Sequence, residues 1–181
     1  SVVVAEGVLE LQDAEALGQT RVKVSGAYGN PTFRLNNVYY FPYIIDVFPS
    51  GAIENYNTSY LTNTLNLSGS GESYIQSYYG KLTVQAPVSG GQNATLKCRG
   101  WGEIEFAADS SGSEQTFVVE EGTTIFSAVD FSKSTLKNIG SGTVTFGDYP
   151  QRVDFLKYDD YAPNSKIFLN TLSGYPVDFH T

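Results

Sequence analysis

Apolar and polar residues alternate with a period of two over much of the chain, the spacing of a strand with one buried face. Lys81-Leu82-Thr83-Val84-Gln85-Ala86 shows it, as do Val22 and Val24 among Arg21, Lys23 and Ser25. Leu61, Leu65 and Leu67 repeat the spacing, and so do the pairs Leu96/Cys98, Ile104/Phe106, Val144/Phe146 and Val153/Phe155. Denser apolar runs at Val2–Leu11, Val38–Phe48, Phe117–Val119 and Ile125–Phe131 predict strands buried on both faces. Turn residues separate these runs at Gly29-Asn30-Pro31, Pro49-Ser50-Gly51, Gly69-Ser70-Gly71, Ser89-Gly90-Gly91, Asp109–Gly112 and Gly140-Ser141-Gly142. Only Asp13–Gly18 reads as helical, with an Asp at the N-cap and a Gly at the end.

Short strands divided by Gly/Ser turns predict an all-β fold, an antiparallel β-sandwich, jelly roll or barrel-like domain with at most one short helix. The two Gly-Ser-Gly segments are expected to be hairpin turns. Residues 1–181 read as a single all-β domain, with 109–115 as the candidate subdivision. Thr64-Leu65 before Gly69-Ser70-Gly71 echoes Thr135-Leu136 before Gly140-Ser141-Gly142, which a Ser/Gly-rich chain produces by chance.

Charge narrows the function classes. The 181 residues carry 11 Lys+Arg against 19 Asp+Glu, a net charge of −8, and no basic cluster of the kind that binds a phosphate backbone, so direct nucleic-acid contact is not expected. No apolar run is long enough to span a bilayer. The lone Cys98 excludes an internal disulfide and is expected to be a buried small hydrophobe. A start at Ser1 without Met is expected to reflect processing, by loss of an initiator or cleavage of a signal or pro-segment.

The most informative stretch is Leu35–Gly80, which has no Lys or Arg and holds eight of the 13 tyrosines: Tyr39, Tyr40, Tyr43, Tyr56, Tyr60, Tyr74, Tyr78 and Tyr79. Asn36, Asn37, Asn55, Asn57, Asn63 and Asn66 supply amides among them. A phenol ring offers apolar area with a hydrogen-bonding tip, so these residues are the interface or glycan-binding candidates. Some of the rings, those within Val38–Phe48 above all, are expected to fill the core instead.

Candidate chemistry is thin. His180, the sole histidine, lies one residue from the end, a poor place to hold an imidazole beside a nucleophile. Asp148, Asp154, Asp159 and Asp160 near Asn164 are oxygen ligands of the kind calcium takes, but they do not form a recognised loop. In Trp101–Phe106, Glu103 and Glu105 share one strand face, with Ile104 and Phe106 expected to point inward. Over these few residues the segment resembles the Glu-Ile-Asp strand of laminarinase-like jelly-roll glycosidases, which would imply glycoside hydrolysis. That family's pattern continues with another Glu, where this chain has Phe106, Ala107 and Ala108. Trp101 is expected to anchor the core.

The sequence reading is therefore a non-enzymatic structural subunit of a larger assembly, with no catalytic site, no cofactor and no metal site. The assembly would be a virion, as a capsid, decoration or tail protein, or an extracellular filament. The expected partners are copies of itself or other structural subunits, and the alternative is a lectin-like carbohydrate-binding β-sandwich module.

Overall fold

The computed structural model describes residues 1–26, 29–127 and 130–146 in full, and beyond them the backbone of Val153–Asp160, Lys166–Leu169 and Val177–Phe179. The chain winds as a coil with three faces. Face 1 holds β1 (Val2–Val4), β3 (Val22–Val24), β5 (Ile45–Val47), β8 (Leu65–Leu67) and β11 (Val88–Ser89). Face 2 is a nine-stranded sheet of β2 (Val8–Leu11), β4 (Thr32–Asn36), β6 (Ala52–Tyr56), β9 (Gly71–Tyr79), β12 (Ala94–Arg99), β14 (Thr116–Val119), β16 (Asp130–Asn138), β18 (Val153–Asp160) and β20 (Val177–Phe179). Face 3 holds β7 (Ser59–Leu61), β10 (Lys81–Val84), β13 (Glu103–Phe106), β15 (Thr123–Phe126), β17 (Thr143–Phe146) and β19 (Lys166–Leu169).

Every strand pairing in these sheets is parallel, so the expected antiparallel sandwich, jelly roll or barrel is incorrect and the fold is a parallel β-solenoid. The expected β-sandwich and jelly-roll character of the protein goes with it. Consecutive strands do not pair. A strand pairs with its counterpart one coil later, as Thr116 with Thr135 and Val153 with Val177, so a coil takes 19 to 24 residues. Parallel strands need a long connection, and here the other faces of the coil supply it. Gly69-Ser70-Gly71 and Gly140-Ser141-Gly142 are corners between faces, not hairpin turns. The one helical element among the described residues matches its expectation. Ala14–Leu17 is a 3-10 turn capped by Asp13, which accepts from the Glu15 N–H, and closed by Gly18 at φ 62°.

Alternation persists because each strand turns one face inward. Inward residues stack in columns: Val22, Ile45, Leu65 and Val88 on face 1; Phe33, Ile53, Ile75, Cys98 and Val119 on face 2; Val84, Phe106, Phe126 and Phe146 on face 3. All of them are buried. Outward positions are matched between coils as well. Arg34 lies between Glu10 and Glu54 and pairs with both, at 3.4 and 2.8 Å. Complementary charges on neighbouring strands fix register in a way that like charges would oppose.

The corner from face 2 to face 3 repeats one backbone feature. Asn37, Asn57, Gly80, Gly100 and Gly122 occupy it in successive coils, with φ of 59°, 67°, 71°, 93° and 65°. Left-handed backbone favours Gly and Asn, which accounts for those residue types. The segment 109–115 passes from face 3 of one coil to face 2 of the next. Ser110 Oγ accepts from the Val88 N–H in the preceding coil, and Ser134 Oγ donates to the Ser113 carbonyl from the following one.

Candidate functional site

The same corner sets a row of four aromatic rings, two of them exposed. Tyr56 ends β6, Tyr78 and Tyr79 end β9, and Trp101 follows the left-handed Gly100 after β12. A register shift after Asn55 pairs Tyr56 with Tyr79 and inserts Tyr78 as the extra residue of a bulge. Both β9 rings therefore lie between Tyr56 and Trp101. Tyr78 is 5.2 Å from Tyr56 and 6.1 Å from Trp101, and Tyr79 is 6.0 and 6.4 Å from them, centroid to centroid. The four rings make a continuous row across three coils. Tyr79 is 57% exposed and Trp101 75%, so Trp101 is a surface residue and not the expected core anchor. The chain turns outward after Gly100, and Ile104 and Phe106 fill the interior in its place.

Fixed polar contacts support the row. The Arg34 guanidinium sits 4.8 Å over the Tyr56 ring while bonded to Glu54, and Tyr78 Oη donates to Gln76 Oε1 at 2.6 Å. Burial, with help from the nearby Glu54 carboxylate, raises the Tyr78 phenol above its ordinary range, so it stays a neutral donor. One step along face 2, Arg99 lies 4.3 Å over the Tyr74 ring and is paired with Glu120. Lys97 holds Glu72 at 2.9 Å and Glu120 at 3.2 Å. Burial pushes the Glu120 carboxyl up, but Arg99 and Lys97 outweigh it and hold the group below the usual carboxylate range.

A second cluster is a cleft of about 200 Å³ lined by Tyr39, Tyr40, Tyr60 and Gln85. Tyr39 meets Tyr60 edge to face at 5.3 Å. Both ends of the segment carrying Tyr39 and Tyr40 are held by the backbone of Tyr60, whose N–H donates to Val38 O at 3.2 Å and whose carbonyl accepts from the Phe41 N–H at 2.8 Å. Tyr39 and Tyr40 are exposed, although rings in Val38–Phe48 were expected in the core; there the core takes Val38 and Phe41. Tyr43 is half-buried with its ring edge on Phe41 at 5.4 Å, packed against the core. The eight candidate tyrosines thus fall into three settings: the row, the cleft, and the flanks at Tyr43 and Tyr74.

The remaining candidates do not assemble into a reacting centre. Glu103 and Glu105 face outward together with Ile104 and Phe106 inward, as expected, but Glu105 is committed to Lys81 and to the Ser127 hydroxyl, 2.6 Å away. Cys98 is buried, and burial pushes its thiol up to about 12, which keeps it protonated and unreactive at neutral pH. Among the described residues no group of three or more His, Cys, Asp or Glu is placed to hold a metal ion. His180, Asp148 and Asn164, and the side chains of Asp154, Asp159 and Asp160, lie outside the described residues. No helix among the described residues is long and apolar enough to cross a membrane.

On face 1, Asp46 is a buried acid beside an open depression of about 550 Å³ lined in part by Glu15, Arg21, Tyr43 and Asn63. Burial alone would raise its carboxyl. The Arg21 guanidinium and the Asn66 amide, which donates at 2.9 Å, outweigh that and lower it from 3.8. A carboxyl with a lowered folded pKa stabilises above its unfolded pKa, and the gain is lost as pH falls through the folded value. We therefore expect Asp46→Asn to cost about 1–3 kcal/mol at neutral pH by loss of a charge-assisted bond. Urea melts from pH 7 to pH 2 should show a shallower acid decline in the variant than in the wild type.

Comparison with protein-family models gives no match, and no curated protein or solved structure matches the chain either.

Proposed function

We propose that the protein is a non-enzymatic structural subunit of a larger assembly, in a virion or outside the cell, and that the row Tyr56–Tyr78–Tyr79–Trp101 is its contact with a second copy. The observation that carries this reading is the exposure of Trp101 and Tyr79 in an unbroken row of rings held by fixed neighbours. Large aromatic area with few rotatable bonds is what interface centres use.

Charge favours a copy of the same chain as the occupant. At a net charge of −8 two copies repel over most of their surfaces, and contact is cheapest where charge is absent or internally neutralised. Of the three acids within Leu35–Gly80, Asp46 is paired with Arg21, Glu54 with Arg34 and Glu72 with Lys97. A two-fold arrangement would bring the row against itself.

Sedimentation velocity over a concentration series tests the reading. Wild-type protein should self-associate, and Trp101→Ala with Tyr79→Ala should weaken association at least about thirtyfold while the circular dichroism spectrum stays the same. A wild type that stays monomeric at the highest concentration, or an unchanged double variant, contradicts it.

A further inference from the structure

We infer that the cleft formed by Tyr39, Tyr40, Tyr60 and Gln85 is a binding site for a neutral saccharide, separate from the aromatic row. The argument begins with a mismatch between order and exposure. Tyr39 is 79% exposed and Tyr40 57%, yet the short segment that carries them is fastened at both ends. Tyr60 donates its N–H to Val38 and accepts from Phe41, and the Ser59 hydroxyl accepts from the Val38 N–H at 3.1 Å. The backbone that carries the two exposed rings is thus already ordered, and Tyr39 rests edge-on against Tyr60, so binding has less freedom to remove.

The lining selects the ligand. None of the four residues carries a charge, so a phosphate finds no counter-charge in the cleft, and a cation would use the ring faces but leave the amide N–H groups and the phenol O–H groups without acceptors. The volume of about 200 Å³ admits one small ring and not a folded peptide segment. The available groups are π faces, three phenol hydroxyls and one carboxamide, which donate and accept in equal measure. A pyranose matches that set. Its C–H face carries slight positive charge and lies against the negative face of an aromatic ring, while its hydroxyls reach phenol and amide. A purely apolar ligand would leave the Gln85 amide and the phenol hydroxyls without use.

The site differs from the proposed self-contact in residues and in test. Saturation-transfer NMR and titration calorimetry would use glucose, galactose, N-acetylglucosamine and the hexaoses of glucose and N-acetylglucosamine as probes. At least one probe should bind, with saturation strongest on the C–H protons of one ring face. Tyr39→Ala with Tyr40→Ala should weaken that binding at least about thirtyfold. Gln85→Leu should weaken it while keeping the fold, and Trp101→Ala should leave it unchanged although it reduces self-association. The inference is overturned if no probe binds, if binding survives the Tyr39/Tyr40 change, or if that change abolishes self-association, which would make the cleft part of a protein contact.

Discussion

Gly122→Ala is expected to destabilise the protein by about 2–5 kcal/mol, more than a surface loop substitution normally does. Two effects add. Gly122 has φ +65°, where an L side chain costs about 1–2 kcal/mol. A Cβ there would also lie 2.2 Å from the Gly100 carbonyl oxygen and 2.8 Å from that of Gly102, backbone atoms of the preceding coil that cannot rotate away. Relieving such a contact means moving one coil off the next, an overpacking cost of about 1–3 kcal/mol. Gly91→Ala is the control, since a Cβ at Gly91 meets nothing within 4 Å, and it should change stability by less than about 0.5 kcal/mol. Chemical denaturation of the two variants beside the wild type measures both numbers.

Phe126→Ala is expected to cost about 3–5 kcal/mol. Phe126 is fully buried and lies at the centre of a ring cluster, with Phe106, Phe117 and Phe131 at 5.4, 5.4 and 5.3 Å and Phe146 at 6.2 Å. Removing it opens a cavity between three successive coils at once. In a solenoid each coil is stabilised chiefly by its neighbours, so the loss should stay local. Hydrogen exchange should show the amides of β13, β15 and β17 losing protection in the variant while those of β5 and β8 keep theirs. Uniform loss of protection along the chain would instead mean that the coils unfold as one unit.

The strands were legible in the sequence and their partners were not. Alternation at Val22/Val24 or Ile104/Phe106 shows that one strand face is dry, and a sandwich and a solenoid share that property. What separates them is the interval at which the pattern recurs. Gly102-Glu-Ile-Glu-Phe106, Gly122-Thr-Thr-Ile-Phe126 and Gly142-Thr-Val-Thr-Phe146 stand 20 residues apart and lie side by side on face 3. Glycine and phenylalanine at fixed places in that interval are the sequence mark of stacked coils. The echo between Thr64-Leu65 and Thr135-Leu136 has no such meaning, because Leu65 belongs to face 1 and Leu136 to face 2.

The exposed rings were legible in part. The density of tyrosine in Leu35–Gly80 marked the coils whose surface carries Tyr39, Tyr40 and Tyr79, while Trp101 lies outside that stretch. Which rings face outward depends on the corners, and corners become readable only when the coil length is known. Trp101 illustrates this, since a lone tryptophan next to a strand is ordinarily core and only the left-handed Gly100 before it turns it outward. Gln85 gave no signal in the sequence, because its place beside Tyr39 and Tyr40 comes from coil stacking.

Hydroxyl-radical footprinting at low and high protein concentration tests the proposed self-contact residue by residue. The account predicts that Tyr79 and Trp101 lose reactivity as the protein concentrates, while the exposed Ile139, outside the row, keeps its own. Equal reactivity of Tyr79 and Trp101 at both concentrations, under conditions where sedimentation shows association, would place the contact elsewhere and contradict the account.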